Sequence, residues 1–384
     1  MTAVLDDVTM PTYRRWPVEF LSGEGAWLRD TSGDRYLDLM AGIAVASVGH
    51  CHPKVTAAIS SQAASLVHVS NLFLTRPQAE LAGGLADMTG GMKAFFGNSG
   101  AEAVECAIKL ARRWGGSRRT IVAAEKGFHG RTLGALAATG QLDKQEPFEP
   151  LPLGFEHVPY DDIPALEAAL DDEVCAVILE VIQGEAGVLV PQSGYLTEVR
   201  RLCIEAGVLL ILDEIQTGLG RTGRLFAYEH EGVAPDILCL GKALAGGLPM
   251  GACLARPEIA DAFQLGDHGS TFGGGPVPSS AAIAVLEVID EEGLCERAKV
   301  AGERLMKGLE AIAPHGSVVR GMGAMIGLEL PDGGARSVVE ACLERKVLVN
   351  DIGDKVVRFV PPLVISDDEI DHGLGKLEEV FDAI

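Results

Sequence analysis

Short continuous apolar runs alternate along this chain with stretches whose apolar residues recur at helical spacing. Val208-Leu-Leu-Ile-Leu212 is closed by Asp213, and its length and branching suit a strand covered on both faces of a parallel sheet. Asp236-Ile-Leu-Cys-Leu-Gly-Lys242 predicts a second buried strand with a lysine just past its end, and Thr120-Ile-Val-Ala-Ala predicts a third. Ser99 and Glu102 have capping-box spacing, and Val104, Ile108 and Ala111 follow as one buried helical face. From about residue 51 to 290 strands and helices alternate. That pattern predicts an α/β domain with a mainly parallel central sheet and helices on both faces.

The flanks read differently. Val18–Phe20, Ala26–Arg29 and Arg35–Asp38 predict short strands with turns at Ser22-Gly23 and Thr31–Gly33, a small N-terminal lobe over residues 1–50. The tail, 291–384, predicts an α+β lobe. Its helices span Arg297–Ile312 and Arg336–Arg345, and its strands span Ala324–Leu330 and Lys355–Val360.

Length and charge narrow the function. A chain of 384 residues buries a large core, and a net charge of −22 argues against nucleic acid and anionic membrane surfaces as partners. Eight cysteines show no Cys-x-x-Cys pair, the opening segment is short and acidic, and no apolar run reaches transmembrane length. A reducing cytoplasm is the expectation.

Four segments carry candidate chemistry, each with a plainer reading beside it. A lysine past a buried strand suits Schiff-base formation with an aldehyde cofactor, because desolvation favours its neutral amine; alone, such a lysine is more often a solvated surface group. Asp213, at the carboxyl end of a strand where ligands of α/β sheets bind, suits an anion facing a pyridinium nitrogen, or equally a cap for the next helix. The Ser99-Gly100-Ala101 turn offers free N–H groups and a helix dipole to a phosphate, as any capped helix does. In Phe128-His-Gly-Arg131, Phe128 suits stacking on a flat ring or packing in a core, and Arg131 suits gripping a carboxylate or lying on the surface.

Taken together, Asn98–Ala103, Phe128–Thr132, Glu180–Val188, Leu212–Gly223, Gly241–Gly247 and His268–Gly274 resemble the class III, ornithine-type aminotransferases of fold type I, which use pyridoxal 5′-phosphate (PLP). The likeness runs from about Tyr13 to Pro362. Within the class, Gly42–Val45, Gly49–Pro53 and His68–Phe73 are similar to the acetylornithine branch.

The resemblance implies roles. Lys242 would hold the cofactor aldehyde and move the proton. Asp213 would face the ring nitrogen, with Glu214 and Ile215 beside it in the cofactor set, Gln216 on the phenolic oxygen and Phe128 stacked on the ring. Ser99, Gly100 and Ala101 would form the phosphate turn, and Thr271 would add a phosphate contact across a homodimer. Arg131 and Arg358 would bind substrate carboxylates, with Glu185 gating Arg358; Ser270 and Tyr13 would lie near the substrate. The implied reaction is transamination between N-acetylornithine and 2-oxoglutarate, giving glutamate, in arginine biosynthesis. Other ω-amine donors (GABA, ornithine, succinylornithine), or a PLP mutase or racemase, are the alternatives. The chain departs from the family where Ala101 replaces a common Thr, Val181 a frequent Pro and Gly275 a frequent Asn.

Two motifs invite other readings. Gly218-Leu-Gly-Arg-Thr-Gly223 matches a dinucleotide-binding pattern, but the next apolar segment ends in Lys242 rather than an acid; a structural turn is expected. His50, Cys51 and His52 lack a second ligand pair, so turn-lining roles are expected in place of a metal site.

Overall fold

The computed structural model describes residues 8–383. Its central sheet has seven strands in the spatial order Lys93–Gly97, Gly251–Ala255, Ile237–Leu240, Leu209–Asp213, Val174–Glu180, Thr120–Ala124, Phe155–Val158. Gly251–Ala255 is antiparallel to both neighbours, and the pairs beyond it are parallel. The fold is therefore α/β with a mainly parallel sheet, as the alternating pattern predicts.

Successive strand residues point to opposite faces, and both faces are covered. Leu210, Leu212, Leu238 and Leu240 enter one apolar cluster, with the helix Pro276–Glu291 among its walls. Leu209, Ile211, Ile237 and Cys239 enter another, against the helix Gly100–Trp114. That helix buries Val104, Ile108 and Ala111, the face read from its periodicity. Its capping box is half made. Ser99 Oγ accepts from the Glu102 amide at 3.2 Å, whereas the Glu102 carboxylate takes the Asn98 amide at 2.6 Å.

The two flanking lobes are less separate than the sequence suggests. Phe20–Glu24, Trp27–Asp30 and Arg35–Asp38 form an antiparallel ribbon, and Val347–Leu348 adds to it in parallel. Ala26, Leu37 and Leu39 then share one core with Leu305, Ile326, Phe359 and Leu377. The first turn is also displaced from its expected place. Ser22-Gly23 lies inside a strand, and the reversal falls at Gly25, whose φ of +57° is in the left-handed region that favours glycine. The C-terminal elements stand close to expectation, with helices Leu294–Ile312 and Ala335–Glu344 and strands Met325–Glu329 and Val356–Phe359. Among the described residues, no helix is long and apolar enough to cross a membrane.

The glycine-rich 218–223 segment opens no helix. It carries Arg221, fully buried, into the seam between the lobes. Its Nη1 donates to the carbonyls of Ala324 at 2.9 Å and Pro361 at 2.6 Å, and its Nη2 donates to Ser47 Oγ at 2.9 Å. Burial pushes this guanidinium down to about 9. His50 Nε2 lies 2.7 Å from Asp38 Oδ2 and His52 Nε2 lies 3.0 Å from Glu292 Oε1, so the two histidines serve different partners.

Arg221→Ala should lower the stability of the folded protein by about 3 kcal/mol, since it strands three buried acceptors and leaves a cavity. Urea unfolding read by tryptophan fluorescence checks this. A loss below half a kcal/mol, roughly the level of a surface change, would contradict the role.

Candidate active site

Parallel strands end on one edge of the sheet, and there the chain gathers its polar groups. Gly100, Ala101, Phe128, His129, Gly130, Arg131, Glu180, Asp213, Ile215, Gln216 and Lys242 line one cavity of about 290 Å³. They arrive from four strand ends and the start of one helix. The crowding depends on small residues. A Cβ at Gly251 would come within 2.0 Å of the Ser99 carbonyl, so the antiparallel strand can approach the helix start only with glycine there.

Lys242 follows Ile237–Leu240 and opens a short 3₁₀ turn with φ +43°. A lysine in the left-handed region is a strained placement of the kind that gathers at functional sites. Burial lowers its pKa to about 8. Glu185 opposes that shift, and Arg358 adds to it.

Asp213 is buried at 4 % exposure, and its two oxygens are both engaged. Oδ1 accepts from the Ile215 amide at 3.0 Å, and Oδ2 lies 2.8 Å from His129 Nδ1. His129 is itself buried. Desolvation alone would lower its pKa, but the bond to Asp213 and the charges of Asp213 and Glu180 together outweigh this and raise it. Glu180 ends the neighbouring strand in register with Asp213. Burial pushes its carboxyl up to about 7, with His129 opposing and Asp213 adding.

Arg358 enters from the C-terminal lobe on Val356–Phe359, 1 % exposed. Its Nη1 donates to Glu185 Oε1 at 2.6 Å, Gln216 Oε1 at 3.2 Å and the Gly184 carbonyl at 3.3 Å; its Nε donates to Asn350 Oδ1 at 3.2 Å. Burial alone would raise the Glu185 carboxyl, but Arg358 and then Lys242 hold it below the ordinary value. Arg131 stands at the exposed rim, its guanidinium 5.6 Å from the centre of the Phe128 ring.

The residues singled out from sequence divide into groups. Lys242, Asp213, Ile215, Gln216, Phe128, Arg131, Gly100 and Ala101 meet in the cavity, and Glu185 and Arg358 join them through Gln216. Ser99 caps the helix beside it. Glu214 does not join them. Its buried carboxylate accepts from the amides of Ala227 and Tyr228 at 2.7 and 2.9 Å, so its side chain fastens a turn. Thr271 and Ser270 line a separate surface groove with Asn71, Gln78 and Phe96. Tyr13 is 74 % exposed in a third groove, with Arg15 over its ring at 5.6 Å. Three cavity residues were missed in sequence, Gly130 and the titratable His129 and Glu180. Glu180 closes the run Val174–Leu179 as Asp213 closes its own, and that likeness was the available signal.

The donor set fits a flat anionic cofactor that carries an aldehyde. It offers an amine whose pKa burial lowers to about 8, a buried carboxylate, an aromatic wall and a helix start whose N–H groups can take a phosphate.

Known proteins resemble this arrangement. The family described as Aminotransferase class-III matches residues 10–381. The acetylornithine aminotransferase of Methanopyrus kandleri is 50% identical over 383 residues, covering 99% of this chain and 98% of its own. That of Caldanaerobacter subterraneus subsp. tengcongensis is 48% identical over 383 residues, covering 98% of this chain and 97% of its own. Among solved structures, the ornithine aminotransferase of Toxoplasma gondii superposes with a TM-score of 0.96 at 37% identity, covering 100% and 94% of the two chains. The acetylornithine aminotransferase of Elizabethkingia anophelis gives 0.91 at 35%, covering 100% and 98%.

The lowered pKa of Lys242 has a pH signature. Borohydride-trapped aldehyde on the Lys242 peptide of the cofactor-free protein should rise with pH through a midpoint near 8 and level off about one pH unit higher. Peptides with exposed lysines should still climb at that point. A Lys242 midpoint near the ordinary 10.5, read by mass spectrometry, would contradict the site.

Proposed function

The chain belongs to the class III aminotransferases, PLP-dependent enzymes of fold type I, and on that footing we propose that its substrates are N2-acetyl-L-ornithine and 2-oxoglutarate. The products are N-acetyl-L-glutamate 5-semialdehyde and L-glutamate. The observation that carries this reading is near-50% identity along the whole chain to acetylornithine aminotransferases. The Glu185–Arg358 pair at the cavity supports it.

Bound PLP supplies an aldehyde for the amine and a ring that takes up the electron pair left by the departing proton. With the cofactor bound, Lys242 Nζ would hold its aldehyde and carry the proton from the amine-bearing carbon. Burial lowers the lysine's pKa to about 8, so near neutral pH far more of the free amine is present than for an ordinary lysine, which both tasks need. Asp213 holds a negative charge for the ring nitrogen, and His129 fixes the carboxylate. The amides of Gly100 and Ala101 would take the phosphate, without the hydroxyl that a Thr at 101 would add. Gln216 serves the phenolic oxygen, and Phe128 covers a ring face.

Substrate choice rests on two arginines. Arg131 grips the α-carboxylate of the acylated donor. Glu185 meanwhile neutralises Arg358, so no second anion is required of that donor. For 2-oxoglutarate and glutamate, Arg358 freed from Glu185 takes the α-carboxylate and Arg131 the distal one. The reaction would serve arginine biosynthesis in the cytoplasm, where the eight free cysteines stay reduced.

The working unit in this reading is a homodimer with shared sites. Leu72, Phe73, Leu74 and Phe272 are 88%, 64%, 100% and 64% exposed on the single chain, around the groove that holds Thr271. A patch of this kind marks an association surface. Across it Thr271 would reach the partner's phosphate, with Ser270 at the substrate edge and Tyr13 at the entrance.

In a donor panel with 2-oxoglutarate as acceptor, N-acetylornithine should give the highest kcat/KM. Lys242→Ala should abolish turnover, and Arg131→Lys should reduce kcat/KM by roughly tenfold to a hundredfold through loss of the bidentate grip. Free ornithine or GABA as best donor would move the chain to another branch of the class.

The shared site has its own test. Lys242→Ala and a Thr271→Trp variant, each inactive alone, should regain activity when their subunits exchange, because one site of the hybrid has both intact contributions. No recovery despite hybrid formation, confirmed by native mass spectrometry, would place Thr271 outside the partner's site.

A further inference from the structure

The reaction as assigned leaves one buried carboxylate at the cavity without a task. Glu180 closes Val174–Glu180, a strand buried throughout, and is 7 % exposed. Oε1 accepts from the Phe128 amide at 2.8 Å, and Oε2 accepts from the Gly184 amide at 3.2 Å. Those amides belong to different walls. Phe128 is the aromatic wall of the cavity, whereas Gly184 immediately precedes Glu185. The Gly184 carbonyl is held from the other side by Arg358 Nη1 at 3.3 Å. A Cβ on Gly184 would meet Gln216 Oε1 at 2.5 Å, so its backbone is packed tightly against the residue that also contacts Arg358.

We propose that Glu180 is a positioning residue that locks the backbone of the 184–185 turn to the cavity wall, so that Glu185 releases Arg358 by side-chain rotation alone. Discrimination between the two amino donors then depends on a carboxylate that touches neither. This inference rests on the reading of Glu185 and Arg358 as the gate. The bridge needs two acceptor oxygens on one side chain. Glutamine supplies one, and sets its NH₂ against the second amide. Glu180→Gln should therefore loosen the turn and let Glu185 leave Arg358 more readily.

The test compares wild type, Glu180→Gln and Glu185→Ala, each loaded with PLP, in single turnovers with glutamate and with N-acetylornithine. The expected result is a rise of about tenfold in the glutamate-to-acetylornithine ratio of kcat/KM for Glu180→Gln, with a larger rise for Glu185→Ala. If Glu185→Ala moves the ratio and Glu180→Gln lowers only the melting temperature, or slows both donors equally, Glu180 is merely structural and the inference falls alone. If Glu185→Ala leaves the ratio unchanged, the gate reading falls and takes the inference with it. Should Glu180→Gln not fold, Glu180→Asp keeps the charge but is too short to span both amides, and the same ratio decides.

Discussion

Burying charge is costly unless each charge is met, and this constraint organises the whole carboxyl edge of the central sheet. Asp213 and Glu180 sit side by side on adjacent strands, and Arg358 comes from a separate lobe with 1 % exposure. None of these could stay in place alone. His129 answers Asp213, two backbone amides answer Glu180, and Glu185 with three further acceptors answers Arg358. The lobes are thus fastened to one another by the same contacts that shape the cavity. Arg221, with no carboxylate partner, does a similar job nearby through carbonyl groups.

This arrangement also explains the state of Lys242. It is surrounded by groups that are already paired, so little net negative charge is left to hold its proton. Burial therefore wins, and the amine settles near 8. The Glu185–Arg358 pair acts on it with opposite signs from its two members. A change at the gate thus changes the electrostatics of the amine as well as the carboxylate-binding pattern.

Much of this was legible in the sequence where one-dimensional pattern and local chemistry coincide. Val208–Leu212 ending in Asp213 gave both a strand and its position, because an apolar run of that length has few other places to go. The face of Val104, Ile108 and Ala111 was equally direct. The failures share a cause, which is distance along the chain. Glu180 looks like an ordinary strand end until the register places it beside Asp213. Glu214 stands beside Asp213 in sequence, yet alternation sends its side chain away toward Ala227. The two-residue strand Val347–Leu348 is too short to have a period at all, and it joins the N-terminal ribbon to the tail.

That last pairing has a consequence for biosynthesis. The ribbon edge at Arg35–Asp38 leaves the ribosome well before its partner strand, which lies about 300 residues downstream. At ordinary elongation rates the edge waits roughly 15 seconds to a minute for it. During that interval the seven-stranded sheet can assemble, whereas Leu37 and Leu39 have no completed core to enter. An unpaired edge flanked by exposed leucines is a surface on which nascent chains can cross-pair. The later strand therefore completes a sheet begun about 300 residues earlier, and until it arrives the edge at Arg35–Asp38 is open to chaperones.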